Sequence, residues 1–154
     1  VADHLLLRPL VDADFDAARA VADDWFGHPV GLTMHRLFFE QLGAGGVHAA
    51  LANDPGRMVG VLLGLRSEND PDLAYVHFHM VDPDMRGQGV GRALYEEFCR
   101  SMHERGCGRV RALAAPGNAV SRRFHEALGF VGTFHEAYVG PGQDRFVFER
   151  ALPL

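Results

Sequence analysis

Three glycines alternate in the segment Arg86-Gly87-Gln88-Gly89-Val90-Gly91, between a strand-like run and an amphipathic helical one. A helix start exposes unpaired backbone N–H groups and the positive end of its macrodipole, so it attracts anions. Glycines let a bulky phosphate approach the backbone and permit conformations closed to other residues. The segment therefore reads as a cradle for a pyrophosphate, with Arg86 and Arg92 bringing positive charge to its edges. Simple punctuation of the chain is the competing reading. It is not a P-loop, because no Gly-Lys-Ser/Thr follows, nor a dinucleotide fingerprint, whose glycine spacing and βαβ setting differ. Just upstream, His77-x-His79 could be a metal pair, although no third ligand stands at a recognisable spacing.

Stepping along the chain gives the elements that must hold this turn. Leu5 to Arg8 reads as a short strand ended by Pro9. Asp12 is the expected N-cap of a helix carrying Phe15, Ala18, Ala22 and Trp25, interrupted at Gly27 and Pro29. A second helix is expected from about Thr33, with Met34, Leu37, Phe38 and Leu42 on one face and Gly43 after its end. Val47 to Ala52 and Met58 to Leu65 read as strands about the turn Asn53-Asp54-Pro55-Gly56, and a further strand spans Ala74 to Val81. The helix after the glycine turn carries Val90, Leu94, Phe98 and Met102, with Gly106 at its C′ position. A fifth strand covers Arg109 to Ala114. Pro116-Gly117 leads into a helix holding Phe124, Ala127 and Leu128, with a Schellman stop at Gly129-Phe130. Phe130 to Val139 and Arg145 to Leu152 are strands joined by Gly140-Pro141-Gly142. The expected order is β-α-α-β-β-β-α-β-α-β-β, a mixed α/β domain spanning residues 1–154.

The composition is that of an ordinary globular chain, 47% hydrophobic and 23% charged,. A net charge of −5 argues against a nucleic-acid binder, which needs a basic face. All fifteen Lys and Arg positions are Arg, a bias that genome composition explains as readily as phosphate binding. Cys99 and Cys107 are too few for a disulfide framework or a zinc site. No apolar run is long enough to span a bilayer, and no signal peptide is evident. A cytoplasmic location, without membrane association, is the default expectation.

Arg86-x-x-Gly89-x-Gly91 resembles the acyl-CoA signature of the GNAT superfamily of N-acetyltransferases. Asn118-x-x-Ser121-x-x-Phe124-His125-Glu126-Ala127-Leu128-Gly129-Phe130 resembles that family's second CoA-contacting helix, and Leu7-Arg8-Pro9-Leu10 with the acidic first helix resembles its usual start. The resemblance covers nearly the whole chain. It implies the GNAT fold, with a central, mostly antiparallel, twisted sheet that splays between the fourth strand (Ala74 to Val81, bulged) and the fifth. It implies acetyl-CoA as co-substrate in that gap, no metal, and direct transfer of acetyl to a primary amine of a small molecule, amino acid or peptide.

Residue by residue, the resemblance implies cofactor contacts from Met80, Val81, Arg86, Gly87, Gln88, Gly89, Val90, Gly91, Arg92, Asn118 and Ser121. Asn118 reads equally as a helix N-cap. His125 stands where many members carry a tyrosine acid, and either donates a proton or makes a plain helix-end contact. His79 and His77 lie where the family places its base, or form a polar face without a chemical role. Trp25, Phe26, His28, His35, Phe38, Phe39, Tyr138 and Gln143 fall in segments that shape the acceptor site, with core packing the default for the aromatics. Asp23, Asp24, Glu40 and Glu136 could draw a cationic acceptor or simply be solvated. A non-catalytic acyl-CoA sensor of the same fold and an unrelated nucleotide-binding domain are the alternatives. A homodimer is left open.

Overall fold

The computed structural model describes residues 5–51 and 57–154, the side chains of residues 43–51 excepted. Seven strands form one sheet: β1 (Leu6–Pro9), β2 (Val47–Leu51), β3 (Met58–Arg66), β4 (Leu73–Val81), β5 (Arg109–Ala114), β6 (Val131–Gly140) and β7 (Gln143–Ala151). Their order is β1-β2-β3-β4-β5-β7-β6. Every neighbouring pair is antiparallel except β4 and β5, which run parallel. The expected order of elements and the mixed α/β class are observed. The turn expected at Asn53 to Gly56 lies outside the described residues.

Helices α1 (Asp12–Phe26) and α2 (Arg36–Gly46) cover one face of the sheet, and α3 (Val90–Glu104) and α4 (Ala119–Ala127) the other. Two hydrophobic layers result. Phe15, Ala18, Ala22 and Met34 pack on Val61, Leu63, Phe78 and Met80. On the opposite side Leu94, Phe98 and Met102 pack on Leu62, Val76, Val110 and Phe148. Among the described residues no helix is long and apolar enough to cross a membrane.

Three helix ends differ from expectation or meet it for a stated reason. The N-cap of α1 is Val11 rather than Asp12. Its capping carboxylate comes from Asp14, which accepts the Val11 N–H at 2.8 Å and pairs with Arg8. A carboxylate at the third helical position reaches back to the first free donor, so the acidic signal was right and the position was not. Helix α2 starts at Arg36, after a 3₁₀ turn at Gly31–Thr33, and continues through Gly43 to Gly46. Met34 is not helical, so the helical phase is reset: Phe39 and Leu42 face the core while Leu37 and Phe38 face out. Helix α4 ends as expected. Gly129 adopts φ +81°, its N–H donates to Glu126 O at 2.9 Å and the Phe130 N–H to His125 O at 3.0 Å, the paired bonds of a Schellman stop,.

Candidate active site

The site begins with an irregularity in β4. Against β3, Phe78 faces Leu63 while Val76 faces Gly64, so His77 is an extra residue with no partner of its own. Such a bulge changes which side chains point to which face. Before it, Ala74 and Val76 join the layer under α3; after it, Phe78 and Met80 join the layer under α1 and α2. His79 therefore faces α3, stacked on Phe124 at 5.1 Å, whereas His77 faces the α1–α2 side, against Phe38 at 4.8 Å. The two histidines lie on opposite faces and cannot share a metal ion. Among the described residues no group of three or more His, Cys, Asp or Glu gathers as a metal site.

The second irregularity is a parting of strands. β4 pairs with β5 only from Leu73 to Val76, leaving His77 to Val81 without a neighbour on that edge. The Asp82 N–H donates to Val59 O at 2.9 Å. Alternation along an antiparallel ladder then turns the Met80 backbone groups toward β3 and those of His79 and Val81 toward the gap. Of the two backbones expected at the gap, Val81 thus points into it and Met80 away.

The glycine turn closes the end of this gap. Asp82 accepts from the Asp84 N–H at 2.9 Å and pairs with Arg57 at 2.7 Å, fixing the exit from β4. Gly87 and Gly89 have φ of +73° and +86°, with nothing within 4 Å of where a Cβ would stand. Their glycine character serves conformation and leaves open space at the start of α3, whose N-cap is Gly89. Gly91 differs: a Cβ there would lie 3.0 Å from His79 Nε2 and 3.2 Å from Phe124. Close packing of β4 and α4 requires it. Val90 is buried, a core residue. Gln88 donates to Asp84 O at 3.1 Å. Arg86 is turned inward, donating to Val81 O at 3.4 Å and also to Trp25 O, so it ties the turn to the end of α1. Arg92 remains at the rim, half exposed and near Glu96.

Helix α4 supplies the far wall. The Asn118 side chain caps it by accepting the Ser121 N–H at 3.0 Å. His125 is buried and stacked on Phe148 at 4.7 Å. Its Nδ1–H donates to Ser121 O at 2.7 Å, which leaves Nε2 to accept the Tyr95 hydroxyl at 2.9 Å. Both ring nitrogens are engaged, and burial lowers its pKa from the usual histidine value. Burial likewise raises the pKa of the Tyr95 phenol. Tyr95 sits one place from Leu94 on the buried face of α3; the sequence carried no sign that it would meet a residue 30 positions away.

His79 is held neutral more strongly. Burial above all, with the nearby Arg86 charge adding to it, pulls its pKa down to about 3. Its Nε2 is sealed from solvent and has no hydrogen-bond partner among the described residues. His77 is less enclosed. Its Nε2 lies 3.0 Å from Thr33 O, and because a carbonyl only accepts, Nε2 carries the proton and Nδ1 of the neutral ring keeps its lone pair. Beyond it, Arg111 pairs with Glu149 and lies beside Tyr138 on a sheet face with a cavity of about 220 Å³.

Comparison with solved structures finds the same fold in several proteins. Ard1 from Thermoplasma volcanium superposes with a TM-score of 0.83 at 19% identity, covering 98% of this chain and 99% of that one. The ribosomal-protein-S18-alanine N-acetyltransferase from Escherichia coli gives 0.76 at 22% identity, over 97% and 95%. The yncA acetyltransferase from Salmonella typhimurium, solved with its cofactor acetyl-CoA, gives 0.72 at 18% identity, over 98% and 95%. At these identities the likeness is one of fold. No curated protein matches by sequence. The family comparison matches residues 15–130 to the acetyltransferase (GNAT) family, and by that match, which takes in the gap, the glycine turn and α4, the chain belongs to it.

Proposed function

We propose that this protein is an N-acetyltransferase that carries acetyl from acetyl-CoA to a primary amine of a small molecule, amino acid or peptide. The observation that carries the reading is the parting of β4 from β5 after Val76, with the Val81 backbone facing the gap beside an open glycine turn. The residues present fit the co-substrate. The start of α3 offers backbone donors and positive φ glycines to a pyrophosphate, and the Val81 N–H facing the gap suits an amide-bearing arm.

Bound acetyl-CoA supplies the acetyl group activated as a thioester. Gly87, Gly89 and the first turn of α3 hold its phosphates, with Arg92 at the rim. Arg86 acts through position, keeping the turn against α1. Asn118 and Ser121 shape the α4 wall. The Val81 N–H is fixed in the gap before any charge develops on the thioester oxygen, which is where a preorganised donor is worth most.

His77 is the base: its Nδ1 takes the proton of the attacking amine, while Thr33 O holds Nε2–H and steadies the ring. The amine nitrogen bonds to the acetyl carbon as the carbon–sulfur bond breaks. His79 is a poor base, its pKa being held well below the usual histidine value by burial. His125 has both nitrogens engaged in the core and acts as a strut; the proton for the departing sulfur comes from water.

That engagement of His125 also favours a second reading, a non-catalytic acyl-CoA-binding module of the same fold. Purified protein, acetyl-CoA and an amine panel separate the two by thiol release with mass detection of the acetylated amine. Acetylated product supports the enzyme. Stoichiometric acetyl-CoA binding without product across the panel supports the module and overturns the enzyme.

A further inference from the structure

We infer that the acceptor is a primary amine flanked by an aromatic or branched apolar group. This rests on the acetyl-transfer reading and names the substrate class of its acceptor side. His77, the base, is surrounded by rings rather than charges: Phe38 at 4.8 Å and Tyr75 at 6.0 Å. Phe26, from the end of α1, meets the next residue of β4, with its ring 5.1 Å from Phe78. Two phenylalanines from the α1–α2 region thus flank the bulge at successive positions, and both remain 37% exposed. Between them along the chain stand Leu32, 80% exposed, and Leu37, 54% exposed. Single exposed hydrophobes are ordinary. Two rings flanking the bulge that carries a base are a surface awaiting an apolar group.

An apolar flank on the amine gains contact with the Phe38 ring beside His77.

The test is a matched series of ethanolamine, 2-phenylethylamine and a tetrapeptide beginning with Phe, followed by thiol release and product mass. The expected kcat/KM for 2-phenylethylamine is about ten-fold or more above that for ethanolamine. In Phe38→Ala the ratio of 2-phenylethylamine to ethanolamine should fall by about ten-fold. A tetrapeptide faster than 2-phenylethylamine identifies the apolar flank as the first residue of a polypeptide, and the reverse identifies a free amine; both support the inference. Equal rates with ethanolamine and 2-phenylethylamine overturn it while leaving acetyl transfer intact. So does self-association of the native protein that Phe38→Ala abolishes with the ratio unchanged, which would assign the rings to a second copy. No acetylated product from any amine overturns the acetyl-transfer reading and the inference with it.

Discussion

The Tyr95 hydroxyl donates to His125 Nε2 at 2.9 Å, and through that bond α3 holds α4 against the sheet. The rest of the His125 ring is fixed by Ser121 O and by stacking on Phe148. Removing one partner of a buried pair costs more than the bond itself is worth, because the other is left unsatisfied. Tyr95→Phe should therefore destabilise by about 1–3 kcal/mol. The double variant Tyr95→Phe/His125→Phe should cost less than the sum of the singles, as chemical denaturation of all four proteins would reveal.

A second prediction concerns acid. The His79 pKa lies at about 3 in the folded protein, below the unfolded value of about 6.5, and that of His125 is lowered in the same sense. Below about pH 6.5 the unfolded chain binds more protons than the folded one, so stability falls as pH drops toward 3 and is full above 6.5. His79→Phe removes the sealed, unpartnered nitrogen. The loss of stability between pH 7 and pH 5, measured by denaturant unfolding, should be smaller in this variant than in the native protein.

For His77 the readout is the split between rate and binding. His77→Gln should lower kcat by about 10²- to 10⁴-fold. Acetyl-CoA affinity should be unchanged, because the side chain faces away from α3. A variant retaining full kcat would remove His77 from the chemistry.

Gly89 separates conformation from charge. With φ at +86°, Gly89→Ala should cost about 1–2 kcal/mol of stability but leave acetyl-CoA binding measurable, since no atom lies near the added Cβ. Gly89→Glu carries the same strain and places a negative charge where the pyrophosphate belongs. Calorimetry should show binding lost in the Glu variant and retained in the Ala variant.

Asn118 can be dissected in the same way. Asn118→Ala loses the cap on α4 and about 1 kcal/mol, whereas Asn118→Ser keeps capping. Weaker acetyl-CoA binding in the Ser variant at unchanged melting temperature would establish a ligand contact beyond the cap.

Local signals were the legible ones. Gly87, Gly89 and Gly129 announce backbone conformations that only short-range sterics decide, and each sits where its φ requires. The bounds of β5 follow from its own alternation. What sequence could not supply was phase set from a distance. The bulge at His77 exists because β3 pairs across it at Leu63 and Gly64, so no inspection of His77-x-His79 alone assigns their faces. The α2 face slipped because a 3₁₀ turn precedes it. Tyr95 was invisible as a partner of His125 because nothing in a helical repeat reports what a distant helix brings. The glycine turn's Arg86 has its inward direction from Trp25 O, a backbone atom.

The unpaired residue at position 77 is separable from the fold around it. Val76 already stands opposite Gly64 and Phe78 opposite Leu63, so removing His77 would close the ladder into regular alternation and leave every later side chain on the face it now has. Phe78 and Met80 would stay in the layer beneath α1 and α2, and Val81 in the layer beneath α3. What would go is the imidazole beside Phe38. A chain descended from this one could lose that one position and keep its sheet, its core and its glycine turn, surrendering only the side chain that faces the acceptor.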